Sequence, residues 1–295
     1  MSGKLKEVRL RIKSVKSTAQ ITNAMKLVAA AKLRKATEGI QKMRPYSSKL
    51  NYMLSNIVAS EEELEIDYAI ERPVNNVLLV VVTSDRGLAG SYNSNIIKQA
   101  RGLMLNEYNS QYEAGNVTVL NLGKKGFEGL KKMDKARYVT DDMDVFTNLS
   151  FEESGKIAVK IMNAYADKRY DAVRLVFAKF KNAATQINTD EAYLPIAKPE
   201  ADESQVSTVD YIYEPEKMKM INLLVPKILK TQLYRVLLDA NASEQGARMT
   251  SMDQATENAK EMLRDLKIEY NRARQAAITT ELTEIVSGAA ALENG

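Results

Sequence analysis

The 295-residue sequence has no cysteine, no histidine and no tryptophan. Without cysteine there are no disulfides, thiolate metal sites or thiol redox switches. Without histidine the commonest general base near neutral pH and the commonest metal ligand are both missing. Carboxylates, Lys or Tyr could still carry acid–base work. Yet none of the 38 acidic residues forms a spaced pair suited to acid and base, so no catalytic, cofactor-binding or metal-ligating residue is expected. Proline is scarce too: Pro45, Pro73, Pro195, Pro199, Pro215 and Pro226 leave the first 44 and last 69 residues free of it. Proline costs about 3 kcal/mol inside a helix, so both ends can be long helices. No apolar run approaches the roughly 18–20 residues of a membrane span, and the longest, Val77–Val82, is strand-sized. The basic N-terminus lacks the apolar stretch of a signal peptide, so no export signal is expected.

What is present is unevenly distributed. Residues 4–35 carry ten Lys/Arg against the single acid Glu7, a net +9 in a chain whose total is +4. A basic arm of this density suits an anionic partner: nucleic acid, a membrane surface or an acidic protein. Along the same arm Leu5, Val8, Ile12, Val15 and Ala19 follow 3–4 spacing, and the stripe then steps to Ile21, Met25 and Val28. Near the other end Met252, Ala255, Ala259, Met262, Leu266 and Ala273 form a matching seam. The spacing predicts a coiled coil with small residues and one stutter. At about 1.5 Å per residue the C-terminal helix would be on the order of 100 Å long. Its economical cover is antiparallel pairing with the N-terminal helix.

The middle has a different pattern. Val77–Thr83 is a continuous apolar, β-branched run, as in a strand buried on both faces. Val117–Leu122 and Val173–Phe180 are further strands, with helices over Asn95–Tyr108, Lys124–Met133 and Phe151–Lys168 between them. Asn188–Ala197 and Ser207–Tyr213 add two more strands. Such alternation implies a largely parallel sheet covered by helices. The predicted fold is therefore α/β, a long antiparallel coiled coil of the terminal helices plus a Rossmann-like α/β domain. Its boundaries are a helix over 1–58, the α/β domain over 74–213 and a helix over 214–295. Pro226 leaves the true start of the last helix open.

Two loops are placed where α/β folds bind phosphates. Ser84–Asn93 (SDRGLAGSYN) follows the first strand, and Leu122–Gly129 (LGKKGFEG) follows the second. Neither meets a GxxxxGK[ST] or GxGxxG pattern. Ordinary tight turns are the better reading, with Asp85 and Arg86 paired or capping in the first.

Several long stretches resemble one family. RIKSVKSTAQITNAMKLVAAAKLRK (Arg11–Lys35) resembles the opening helix of F-type ATP synthase gamma subunits of the bacterial type. SDRGLAGSYN is similar to that family's loop, with Ala89 and Ser91 where Cys and Gly are common. Ala242–Leu263 and Tyr270–Leu292 resemble its C-terminal signature, and Asp210–Pro215 resembles its rotor-facing region. The resemblance implies a non-catalytic central shaft, one copy per complex. It would couple rotation of a membrane c-ring to an alpha3beta3 hexamer whose beta subunits carry the ATP chemistry. It also implies an epsilon partner, no cofactor, no nucleic acid, and a peripheral position at the cytoplasmic face of a bacterial plasma membrane. By the same resemblance, Met25, Lys26, Arg248, Arg274, Gln275, Thr279 and Glu281 would contact or couple to the alpha/beta collar. Tyr211 and Glu214 would lie near the c-ring and epsilon. The plastid-type Cys-bearing insertion is missing.

Two readings from other classes make different predictions. A basic helical nucleic-acid binder would hold DNA or RNA in a salt-sensitive way, yet the segment to residue 45 has no stacking aromatic. A nucleotide-using enzyme would bind ATP as an isolated chain.

Overall fold

The computed structural model describes residues 3–59, 68–196 and 217–293. The chain divides into two compact units, one of Met1–Ala29 with Met249–Gly295 and the other of Ala30–Arg248. The first helix, α1, spans Gly3–Ala59, and the last, α6, spans Lys217–Glu293. Its 77 residues correspond to about 115 Å of helix. Pro45 and Pro226 both sit inside these helices. Pro226 is therefore an interior residue, where its ring leaves the carbonyl four residues earlier without an intrahelical donor.

The second unit holds a five-stranded sheet. Its strands are β1 (Val77–Val82), β2 (Val117–Leu122), β3 (Arg137–Val139), β4 (Ala172–Phe180) and β5 (Gln186–Leu194), in spatial order β3-β2-β1-β4-β5. β1 pairs in parallel with both β2 and β4, and β2 with β3. Only β5 runs antiparallel, as a hairpin on β4. All six β1 residues are buried. Leu78, Val80 and Val82 face one core with α5 (Phe151–Ala166), while Val77, Leu79 and Val81 face another with α2 (Tyr92–Gly102). This is the period-two alternation of a strand covered on both faces. Each such side chain contributes about 1.5–3 kcal/mol when fully buried.

α2 runs on through a π-helical turn at Leu103–Glu107 to a short helix α3 (Asn109–Glu113). The helical stretch thus begins earlier and ends later than Asn95–Tyr108. α4 covers Lys124–Leu130, and α5 is started by Ser150, whose side chain accepts from the Glu153 amide. β3 has no counterpart among the sequence-predicted strands, and β5 begins and ends slightly earlier than Asn188–Ala197. The expected strand Ser207–Tyr213 lies outside the described residues.

Candidate functional site

In the unit of Met1–Ala29 with Met249–Gly295 the two helical segments run antiparallel. Arg9 Nη2 donates to Tyr270 Oη at 2.9 Å, Thr22 and Thr256 hydroxyls meet at 2.7 Å, and Lys26 Nζ meets Asp253 Oδ1 at 2.5 Å. As one residue number rises, its partner's falls. The α1 seam is Leu5, Val8, Ile12, Val15, Ala19, Thr22, Lys26 and Ala29, all buried or half-buried. The α6 seam is Met252, Thr256, Ala259, Leu263, Leu266, Tyr270, Ala273 and Ala277. Both keep 3–4 spacing throughout, so the expected stutter does not occur. Ile21 and Val28 are 60% and 56% exposed, and Met262 is 46% exposed with Leu263 in its place. The seam continues instead through Thr22 and Lys26, whose polar ends find Thr256 and Asp253.

These polar layers give the small-residue seam its register. The ion pair is itself half-exposed and contributes under about 1 kcal/mol. The close hydroxyls make a sharper test. In this cysteine-free chain, Thr22→Cys with Thr256→Cys should oxidise readily to a disulfide, whereas Ile12→Cys with Thr256→Cys should not. Gel mobility after mild oxidation reads the result, and equal cross-linking of both pairs would refute the register.

Beyond Ala277 the cover ends. Every residue from Ile278 to Ala290 is exposed. Ile278, Leu282, Ile285 and Val286 form an apolar stripe at helical spacing, 48–68% exposed. An uncovered apolar stripe on an otherwise polar helix marks an interaction surface.

The second unit contains a buried ion pair. Arg248 Nη1 meets Glu244 Oε1 at 2.5 Å, with side chains only 11% and 10% exposed. The other guanidinium nitrogen donates to the carbonyls of Arg86 and Gly87 at 3.1 and 3.3 Å. Burial raises the Glu244 pKa, and Arg248 opposes that rise. Burial likewise pushes the Tyr92 phenol well up. Tyr92 Oη donates to the Ala240 carbonyl at 3.1 Å.

The two glycine loops are tight turns. Ser84 N–H donates to Asn93 Oδ1 at 3.0 Å, and Ser84 Oγ donates to the Arg86 carbonyl at 2.7 Å. Asp85 accepts from the Lys124 amide at 3.3 Å, a capping role. Thr83 Oγ1 accepts from the Gly126 amide at 2.8 Å, which closes the second loop onto the first.

The sequence pattern of the ATP synthase family matches residues 4–292. The ATP synthase gamma chain of Cytophaga hutchinsonii is 51% identical over 98% of this chain and 99% of its own length. That of Chlorobium chlorochromatii is 47% identical over 98% of each. The chain belongs to the ATP synthase gamma chain family. Among solved structures, the central stalk and c-ring assembly of Tetrahymena thermophila mitochondrial ATP synthase contains a similar chain. Its TM-score is 0.57 at 27% identity, over 80% of this chain and 99% of that one. A chain in the Euglena gracilis mitochondrial ATP synthase has the same fold, with a TM-score of 0.71 at 20% identity over 100% of this chain and 96% of its own.

Within this gamma chain, Arg274, Gln275, Thr279 and Glu281 are exposed, with Thr279 Oγ1 donating to the Gln275 carbonyl at 3.0 Å. Met25 is half-buried beside the paired Lys26. Arg248 lies in the second unit, where its guanidinium meets Glu244 and the carbonyls of Arg86 and Gly87. Tyr211 and Glu214 lie outside the described residues. Of the basic arm, Lys4, Lys6, Arg11, Lys13, Lys16, Lys32 and Lys35 are exposed and form no ion pair among the described residues. The apolar stripe Ile278–Val286 follows the helix period in the sequence, yet its exposure is evident only in the structure.

Proposed function

We propose that this gamma chain is the central rotor shaft of an F-type ATP synthase. It couples ion-driven rotation of a membrane c-ring to the conformational cycle of an alpha3beta3 hexamer, and does no nucleotide chemistry itself. One observation carries the reading. α6 outruns the antiparallel cover that α1 gives it and presents bare small and apolar residues, which fits the tip of a shaft turning in a greasy bearing. The exposed basic side chains of residues 4–35 that form no ion pair among the described residues support docking to an acidic collar, where Met25 and Lys26 would meet the beta subunits. Arg274, Gln275, Thr279 and Glu281 would contact the collar, with Arg248 coupled to it. Arg274's planar fork suits a carboxylate that is met and released in every turn. Tyr211 and Glu214 would face the c-ring and epsilon, and the complex would sit peripherally on the cytoplasmic face of a bacterial plasma membrane. A shaft biases its partners only by contacting their conformers differently, which an asymmetric rod does.

The test is reconstitution with alpha and beta subunits, followed by gel filtration and MgATP turnover. The chain should elute at one copy per hexamer and change turnover. Arg274→Ala should assemble yet support roughly tenfold less turnover, about 1.4 kcal/mol of lost transition-state coupling. Elution of the native chain apart from the hexamer would sink the reading, as would native turnover in Arg274→Ala for that contact.

A further inference from the structure

In an open parallel sheet the ligand crevice lies at the carboxyl ends of the strands, where the strand order reverses. Here that point falls between β1 and β4. From β1 the chain moves outward through β2 and β3, then returns to pair β4 on the other side of β1. α2 covers one face and α5 the other, as a reversal requires.

Helix α6 occupies this crevice. Its residues Val225, Leu229, Leu233, Val236, Leu237 and Ala240 belong to the core on the α5 face. About two turns further on, Ala247 belongs to the core on the α2 face, with Val81, Val176 and Ala89. The helix therefore crosses the ends of β1 and β4 from one face to the other. Polar contacts tie it down there. Ser243 Oγ donates to the Ala178 carbonyl of β4 at 2.8 Å. Tyr92, the first residue of α2, donates to the Ala240 carbonyl. Arg248 donates to the two carbonyls of the loop after β1. Gly246 lets the helix approach the loop after β4, since a Cβ there would lie 3.2 Å from the Ala183 backbone.

We propose that the ligand crevice of the sheet has become a socket for the chain's own helix, and that Tyr92, Ser243 and Arg248 are the positioning residues that lock sheet to helix and carry torque between them. The inference rests on the shaft reading. A shaft turned through its α/β domain needs a joint that resists slipping, and hydrophobic contact alone is non-directional. Hydrogen bonds between this one helix and three elements supply the direction. The helix takes the place at the strand ends that a ligand would take, and a cavity of about 700 Å³ lined by Asp85, Arg86, Glu244 and Arg248 remains beside it.

The variant to build is Tyr92→Phe with Arg248→Lys, which keeps size and charge while removing one hydroxyl and the guanidinium fork. Two measurements apply. Hydrogen–deuterium exchange of the full chain should be at least fivefold faster in the 84–91 loop, with β1 unchanged. In the complete enzyme reconstituted in lipid vesicles, coupling ions (protons or sodium) pumped per ATP hydrolysed should fall to a third or less. A loss of fold stability alone would not move that ratio. Faster exchange with an unchanged ratio would overturn the proposal and leave the shaft reading standing; unchanged exchange would overturn it as well. Should the native chain fail to couple hydrolysis to pumping at all, the shaft reading falls, and this inference with it. If the double variant does not assemble, Tyr92→Phe alone carries the same test, with a smaller fall in the ratio expected and no fall overturning the proposal.

Discussion

Gly123→Ala should destabilise the α/β unit by about 4 kcal/mol, from backbone strain and overpacking together. Gly123 has φ 118°, a region side-chain-bearing residues rarely adopt, and a Cβ there would lie 2.1 Å from the Thr83 carbonyl oxygen. Neither atom can give way. The Thr83 amide pairs with the Leu122 carbonyl at 2.9 Å, and its hydroxyl is bonded to the Gly126 amide. Moving Thr83 would therefore open both loops at the sheet's carboxyl edge. Gly155 supplies the contrast. It lies inside α5 with ordinary φ, and its added Cβ would touch only the Lys230 side chain at 3.7 Å. Gly155→Ala should be neutral or stabilise by up to about 1 kcal/mol. Urea unfolding of the full chain compares the two, and similar small effects from both would contradict the geometry.

The second large effect concerns the Glu244–Arg248 pair. Removing one partner of a buried ion pair strands the other charge and costs about 3–5 kcal/mol. Arg248→Ala should therefore be strongly destabilised at pH 7. The pH dependence has a definite sign. Burial raises the Glu244 pKa above its ordinary 4.5, and Arg248 holds the rise in check. A carboxyl with a raised folded-state pKa binds protons more readily when folded, so acidification favours the folded state through that range. Without Arg248 the rise is larger. The deficit of Arg248→Ala relative to the native chain should then shrink as pH falls from 7 toward the ordinary carboxylate range. Adding Glu244→Gln should recover much of the loss at pH 7 and flatten the difference between pH values. A deficit that stays constant with pH, in the single and double variants alike, would show that the pair is not the cause.

How much was legible follows from what each element needs. β1 reads plainly because a strand buried on both faces must be apolar throughout. β3 does not, because it is only three residues at the sheet's edge, an exposed Arg137 followed by half-buried Tyr138 and Val139, too short for an apolar run. The coiled coil is visible in the sequence, but its apolar residues alone imply a stutter at Ile21 and put the exposed Met262 on the seam. Unbroken 3–4 spacing passes through Thr22 and Lys26, and their partners Thr256 and Asp253 can be found only once the antiparallel register is fixed. The i, i+4 relation of Glu244 and Arg248 is readable in sequence. The carbonyls Arg248 also meets are 162 and 161 residues away, and no local pattern announces them. Arg274, which the family resemblance alone proposes for the collar, is exposed and forms no ion pair among the described residues, so no local pattern announces that role.

The most direct test of the shaft is rotation itself. Because the chain has no cysteine, Lys132→Cys, at an exposed position in the α/β unit, would take a single probe without competing labels. With the alpha3beta3 hexamer fixed to a surface and MgATP supplied, the probe should turn continuously in one direction and stop when ATP is removed. A probe that only fluctuates about one angle while the same complexes hydrolyse ATP would contradict the central claim.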